Sequence, residues 1–351
     1  MSGGALIDSH GRTLQDLRIS VTDRCNFRCL YCLPETEAAL NFYRGRWANA
    51  QDSPAIARSW TPKASLLSFE EIARFVGIAC QRGIDKIRVT GGEPLLRKDL
   101  HKLIALIASH SGVRDLAMTS NGFSFAQHAQ ALRDAGLHRI TFSLDSLRPE
   151  MFRKMTGRDG LKEVLGSIGL ARALGLKPVK VNAVIIRGMN DGEIPALADF
   201  ARAEALSLRF IEYMPLDSAR AWQKDMVVPG REILALLQKH FPLQPCLASN
   251  PSETARRWRI PGSEAEIGII APVSEPFCGH CNRLRLTADG QIRTCLFSTV
   301  EHDLRDRMRR GDSDESLSAF LDQTVWLKED RHHIGEPGFQ QPERSMSCIG
   351  G

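Results

Sequence analysis

Between residues 17 and 213 the chain alternates short, strongly apolar runs with longer stretches whose apolar residues recur every three to four positions. The short runs read as strands: LRISVT (Leu17 to Thr22), DKIRVTGGEP, DLAMTSNG, RITFSLDS, VKVNAVIIRG and LRFIEYMP. The longer ones read as helices: SFEEIARFVGIACQRG, DLHKLIALIASH, QHAQALRDAG, LKEVLGSIGLARALG and EIPALADFARAEA. Ser68 with Glu71 three residues on forms a capping box that opens the first of these. Strands separated by helices predict a parallel α/β sheet, because parallel neighbours need a crossover between them.

Polar or glycine-bearing residues follow each strand: TD, TGGEP, TSNG, SLDS and EYMP. Any one of these is an ordinary turn, since Gly, Asn, Asp and Ser favour turns. Together they predict one shared pocket at the carboxyl ends of the strands, where parallel α/β folds build their sites. Residues Glu35 to Ala64, rich in small and polar types, read as a long loop. After Pro229 the rhythm fails: a helix REILALLQKHF leads into the Pro- and Ser-rich LASNPSETARR and short strand-like pieces. This places a soft boundary near residue 230, with a core over 1–230 and an extension over 231–351.

With 43% hydrophobic and 25% charged residues, the chain has the material for a sizeable core. No run of about 18 apolar residues spans a membrane, and MSGGALIDSHGR lacks the order of a signal peptide, so a cytoplasmic protein is expected. The net charge of +5 suits an anionic ligand. Nucleic acid is not implied, because there is no arginine-rich arm and no interleaving of aromatic with basic residues.

Four cations lie inside predicted strands: Arg18, Arg88, Lys180 and Arg209. Strands covered on both faces should read almost wholly apolar. Each cation is compatible with a structural ion pair; together, within a barrel, they fit a polyanion, for which arginine offers forked donors. Arg283 and Arg285 in NRLRL alternate and so share a face, either a solvated strand edge or part of the same site.

Of nine cysteines, six form two close triplets, and no disulfide framework is expected in a reducing compartment. Cys80, Cys246 and Cys348 read as small buried hydrophobes or, for Cys348, a tail residue. Cys25, Cys29 and Cys32 follow the first strand in a CxxxCxxC spacing. A structural zinc site takes four ligands, and no fourth lies nearby. An iron-sulfur cubane held by three thiolates instead keeps one iron open for a substrate. Cys278, Cys281 and Cys295 form the second triplet. Zinc completed by His280 or His302 is one reading, although His280 adjoins Cys281 and would be strained; a second cubane is the other.

CNFRCLYC after the first strand and GGEP (Gly91 to Pro94) after the second resemble the radical S-adenosylmethionine superfamily. The resemblance implies a partial (βα)6 TIM-type barrel with a C-terminal extension, a [4Fe-4S] cluster on the first triplet, and S-adenosylmethionine chelated by its open iron. Further stretches, among them KIRVTGGEPLLR, KVNAVIIRGMND, FCGHCNRLRLTADGQIRTCLF and the closing IGG, are similar to the branch of that superfamily that begins molybdenum cofactor biosynthesis. That branch implies a second [4Fe-4S] cluster on Cys278, Cys281 and Cys295, and GTP as substrate, with ribose C3′ joined to guanine C8. It assigns S-adenosylmethionine contacts to Tyr31, Gly92, Ser143 and Met214. GTP contacts fall to Arg18, Arg88, Thr119, Lys180, Arg283 and Arg285, which the strand-borne Arg209 joins on its own position, with Arg283, Arg285, Gly350 and Gly351 needed for catalysis. The implied partners are an electron donor of flavodoxin or ferredoxin type and a downstream cyclic pyranopterin monophosphate synthase; a homodimer is compatible with it. Two rivals stand beside this reading. A peptide-modifying radical enzyme would carry more C-terminal cysteines, and an electron carrier or zinc-stabilised binding protein would need neither GGEP nor cations in its strands.

Overall fold

The computed structural model describes residues 4–43 and 60–350. The expected strands form as β1 (Asp16–Ser20), β2 (Lys86–Thr90), β3 (Asp115–Ser120), β4 (Arg139–Ser143), β5 (Lys180–Ile185) and β6 (Ser207–Glu212), all parallel in sequential order. The C-terminal part adds β7 (Gln244–Cys246), β8 (Arg256–Arg259), β9 (Glu266–Ile270), β10 (Arg283–Leu286), β11 (Gln291–Arg293) and β12 (His302–Asp303). They join the same sheet at both edges: β9 pairs parallel with β6, and β10 pairs parallel with β1. The partial barrel of six βα units is therefore widened by a parallel strand on each side, with antiparallel pairs β10–β11–β12 and β9–β8–β7 closing the flanks.

Period-two alternation explains how strands bearing arginine can be interior. Leu17, Ile19, Ile87, Val89, Leu116, Met118, Ile140 and Phe142 are fully buried in the main core. The residues between them point the other way, into the barrel. The helix Phe69–Gln81 begins at Ser68, whose hydroxyl accepts from the Glu71 amide while Glu71 accepts from the Ser68 amide, as the capping box predicts.

Three features differ from expectation. Part of the Glu35–Ala64 loop is the helix Glu37–Tyr43, whose Tyr43 hydroxyl bonds the buried Tyr213 hydroxyl at 3.0 Å; residues 44–59 lie outside the described residues. QHAQALRDAG yields only the short helix Ala129–Asp134, preceded by a tight turn at Phe125–Gln127. The unforeseen helix Pro149–Thr156 starts on proline, whose missing N–H costs nothing in a first turn. Among the described residues no helix is long and apolar enough to cross a membrane.

Candidate active site

The first cysteine loop is set by backbone packing against TGGEP. A Cβ on Gly92 would stand 2.3 Å from the Arg24 carbonyl oxygen, and one on Gly91 2.7 Å from that of Thr22. Only glycine allows this approach, which lets the Gly92 and Glu93 amides donate to the Thr22 and Arg24 carbonyls at 2.6 and 2.8 Å. The buried Glu93 carboxylate then accepts from the Ser120 hydroxyl and the Asn121 amide, both at 2.8 Å, tying the ends of β2 and β3 together. Asn121 in turn reaches Asn26 at 2.7 Å and the Cys25 sulfur at 3.9 Å.

Cys25, Cys29 and Cys32 open onto a cavity of about 290 Å³ also lined by Tyr31, Gly92, Ser143 and Met214. The Tyr31 hydroxyl donates to buried Asp145 at 2.7 Å. Burial, with Glu93 nearby, pushes the Cys25 thiol up to about 11, and burial with Cys25 alongside lifts Cys29 well above its usual value. A group that draws thiolates from such surroundings must itself carry positive charge, as a metal cluster does.

Cys278, Cys281 and Cys295 line the same cavity. Against burial, Arg283 and then Lys328 draw the Cys281 thiol down to about 6. Among the described residues no three Cys, His, Asp or Glu side chains gather as around a single metal ion. His280 and His302, the candidates for completing a zinc site, are not among the residues lining the cavity. None of the nine cysteines is in a disulfide.

Between the triplets lies a row of cations. Arg18 stands in register with Arg285 on one side and Arg88 on the other, so three arginines share one level of three adjacent strands. Arg209 faces in from β6 opposite Gly268; a Cβ there would meet its Cγ at 3.3 Å, so the glycine leaves it room. The Nε atoms of Arg18, Arg88, Arg209 and Arg283 are buried without a hydrogen-bond partner. Burial and then Arg18 push Arg88 down to about 9, and burial with Arg18 and Arg283 lowers Arg285 strongly. Arg18 also stands 4.0 Å from Asp16, and neighbouring Arg139 is paired with Asp115. A cavity whose cations depress one another and keep donors unspent fits a polyanion. Thr119 lines it as well, whereas Lys180 lies outside the lining.

The C-terminal tail also reaches this cavity. Met346 and Ser347 line the cavity, and the carbonyl of buried Gly350 accepts from Arg285. Gly350 has φ +80°, and a Cβ there would stand 3.1 and 3.2 Å from Thr90 and Ser20. Gly351 lies outside the described residues.

Sequence comparison meets this geometry. Residues 19–201 match the Radical SAM superfamily and residues 206–334 match Molybdenum Cofactor Synthesis C. A GTP 3′,8-cyclase of Rhodopirellula baltica is 44% identical over 351 residues, covering 99% of this chain and 92% of its own. One from Streptomyces coelicolor is 41% identical over 348 residues, covering 99% and 96%. The chain belongs to the GTP 3′,8-cyclase family. Among solved structures, SuiB of Streptococcus suis with S-adenosylmethionine bound shares the fold, with a TM-score of 0.61 at 13% identity over 90% of this chain and 68% of that one. Membership of the radical S-adenosylmethionine superfamily brings S-adenosylmethionine and an iron-sulfur cluster with it.

Sequence reasoning left four residues of this family member without a role: Glu93, Asn121, Asp145 and Lys328. The first three sit in the strand ends TGGEP, TSNG and SLDS, and a carboxylate or amide at such an end was the available signal. Lys328 lies just past the helix Asp314–Trp326, where nothing in the local sequence marks it out.

Proposed function

We propose that the chain cleaves S-adenosylmethionine reductively and converts GTP to (8S)-3′,8-cyclo-7,8-dihydroguanosine 5′-triphosphate, the first step of molybdenum cofactor biosynthesis. One observation carries the reading: both cysteine triplets open onto a single cavity whose strand-borne arginines keep unpaired donors. A cluster bound at the first triplet supplies the electron that cleaves S-adenosylmethionine to methionine and a 5′-deoxyadenosyl radical.

The chain's own part is to hold and shield. Tyr31, Gly92, Ser143 and Met214, which line the cavity, serve as contacts for S-adenosylmethionine. Asp145 fixes Tyr31, and Glu93 fixes the loop from which Gly92 presents its backbone. Arg18, Arg88, Arg209, Arg283 and Arg285, with Thr119, take GTP, and Lys180 acts from behind the lining through its charge. Cys278, Cys281 and Cys295 would hold a second [4Fe-4S] cluster, which would supply a binding point for the guanine end of GTP. Gly350, with Gly351 beyond it, aims Arg285 and excludes solvent from the radical. In this division of labour residues 1–230 serve radical generation and 231–351 the base end. The electron comes from a flavodoxin- or ferredoxin-type donor, and the product passes to cyclic pyranopterin monophosphate synthase.

The test is anaerobic incubation of the reconstituted protein with S-adenosylmethionine, dithionite and GTP deuterated at C3′. The expected result is an isomer of GTP with deuterium in 5′-deoxyadenosine. Cleavage of S-adenosylmethionine without a GTP isomer and without deuterium transfer would refute it.

A further inference from the structure

Lys328 is a buried cation that the chemistry above does not use. Its residue is 3% exposed, and its ammonium donates to the main-chain carbonyls of Arg283, at 3.1 Å, and Thr294. Among the described residues no carboxylate forms an ion pair with it. Burying an ammonium without a counter-charge is costly, so an anion should lie close by. The carbonyls it grips belong to the two limbs that carry the second triplet: Arg283 lies two residues after Cys281, and Thr294 immediately precedes Cys295. The ammonium therefore lies against the backbone of both limbs. It is not among the residues lining the substrate cavity, which separates it from the arginines.

Its position is fixed from behind. The next residue, Glu329, accepts from the Thr294 hydroxyl at 2.7 Å. Arg12, itself paired with Asp8 at 2.6 Å, donates to the carbonyls of Glu329 and Asp330 and, at 2.9 Å, to that of Cys278. The stretch 328–330 is thus stapled to both limbs that carry the triplet.

We propose that Lys328 is the resident counter-cation of the second cysteine triplet and sets how readily a cluster held there accepts an electron. The proposal rests on the reading that this triplet holds an iron-sulfur cluster. Three thiolates on a cubane leave a net anion, and reduction adds one more negative charge, which a fixed ammonium outside the ligand set favours. Net charge and hydrogen bonding are among the factors that set such potentials. Lys328 acts through the cluster and so is a positioning and tuning residue.

The test uses the full chain with Cys25, Cys29 and Cys32 replaced by alanine, so that only the second triplet can report. Iron and sulfide are counted, and the centre is titrated with dithionite under electron paramagnetic resonance, for Lys328, Lys328→Met and Lys328→Arg. The expected result is that Lys328→Met disfavours reduction at least tenfold, a fall of 59 mV or more for a one-electron couple. Lys328→Arg should stay near the parent. A Lys328→Met centre with full iron and the parent potential overturns the proposal. Loss of iron in Lys328→Met but not in Lys328→Arg supports a requirement for charge, and loss in both overturns it in favour of a steric prop. A parent holding no iron at this triplet refutes the cluster reading itself, a result distinct from any failure of Lys328.

Discussion

Replacing Arg88 by methionine should move ligand binding and intrinsic stability in opposite directions. Arg88 is half-buried beside Arg18 with its Nε out of solvent, and its contacts to the Thr141 and Thr119 hydroxyls, at 3.3 and 3.5 Å, are at the long limit for hydrogen bonds. Burial, Arg18 and Arg139 depress its guanidinium to about 9, so in the ligand-free protein its charge is a liability. Bound to a triphosphate oxygen, the same group makes a charge-assisted bond worth about 1.5 to 3 kcal/mol, roughly ten- to a hundredfold in affinity. A ligand present at 100 times its dissociation constant stabilises by about 2.7 kcal/mol, and a hundredfold loss of affinity at the same concentration leaves about 0.4 kcal/mol. Anaerobic calorimetry on the reconstituted protein, scanning with and without GTP and titrating GTP and S-adenosylmethionine separately, reads both effects. Arg88→Met should unfold no lower than the parent without ligand, lose most of the GTP-induced shift, and bind S-adenosylmethionine as before. Parental affinity for GTP, or a ligand-free stability lower by several kcal/mol, would return Arg88 to a structural role.

Burial, followed by Arg209, Arg139 and Arg88, pushes Lys180 down to about 7, far below the value of about 10.4 for an unfolded lysine. Its penalty is full below about pH 7 and is relieved as pH rises toward 10.4, so stability should rise over that window and Lys180→Met should flatten the rise. Since a triphosphate would restore the charge, GTP binding at pH 8 should take up a proton, measured by calorimetry in buffers of different ionisation heat; uptake unchanged in Lys180→Met would exclude the residue. Gly350→Ala meets Thr90 and Ser20 at 3.1 to 3.2 Å in a backbone conformation that L residues rarely adopt, so product formation should fall at least tenfold while iron content and GTP binding persist. A variant turning over at the parent rate would make the tail a spectator. Cys29→Ala should abolish S-adenosylmethionine cleavage, whereas Cys281→Ala should keep cleavage, lose cyclisation and fall from about eight irons to about four. Cyclisation surviving in Cys281→Ala would sink the assignment of the second cluster.

What the sequence reveals tracks how local the cause is. The β1 to β6 rhythm is visible because each strand carries its own period and each crossover its own helix. The capping box at Ser68 is visible for the same reason. The cysteine spacing points to chemistry because CxxxCxxC is a ligand set within one turn. The roles of Glu93, Asn121 and Asp145 are not legible, since each exists only through partners brought from another strand end. The helix Glu37–Tyr43 is hidden by short length and weak pattern; its burial depends on Tyr213, 170 residues away. Lys328 is the extreme case: an ordinary surface residue by composition, buried only because β10 and the Thr294 limb fold over it.

The placement of β9 and β10 is the least local feature and the one on which the site depends most. A boundary near residue 230 separates two rhythms in the sequence, but the sheet runs across it: β6 gains β9 on one edge and β1 gains β10 on the other. The register of that second pairing sets Arg285 beside Arg18, so the three-arginine level consists of two residues from the first part of the chain and one from the last. The same strand follows directly on Cys281 and receives the Gly350 carbonyl, which binds the second triplet and the tail to the strand after which the first triplet begins. A one-residue slip of β10 would turn Arg283 and Arg285 toward the apolar core and Leu284 and Leu286 into the cavity, at the cost of two buried charges without partners. The pattern that keeps this strand in register is therefore the pattern that assembles the site. The two parts of the chain, distinct in rhythm and in proposed task, share one continuous sheet.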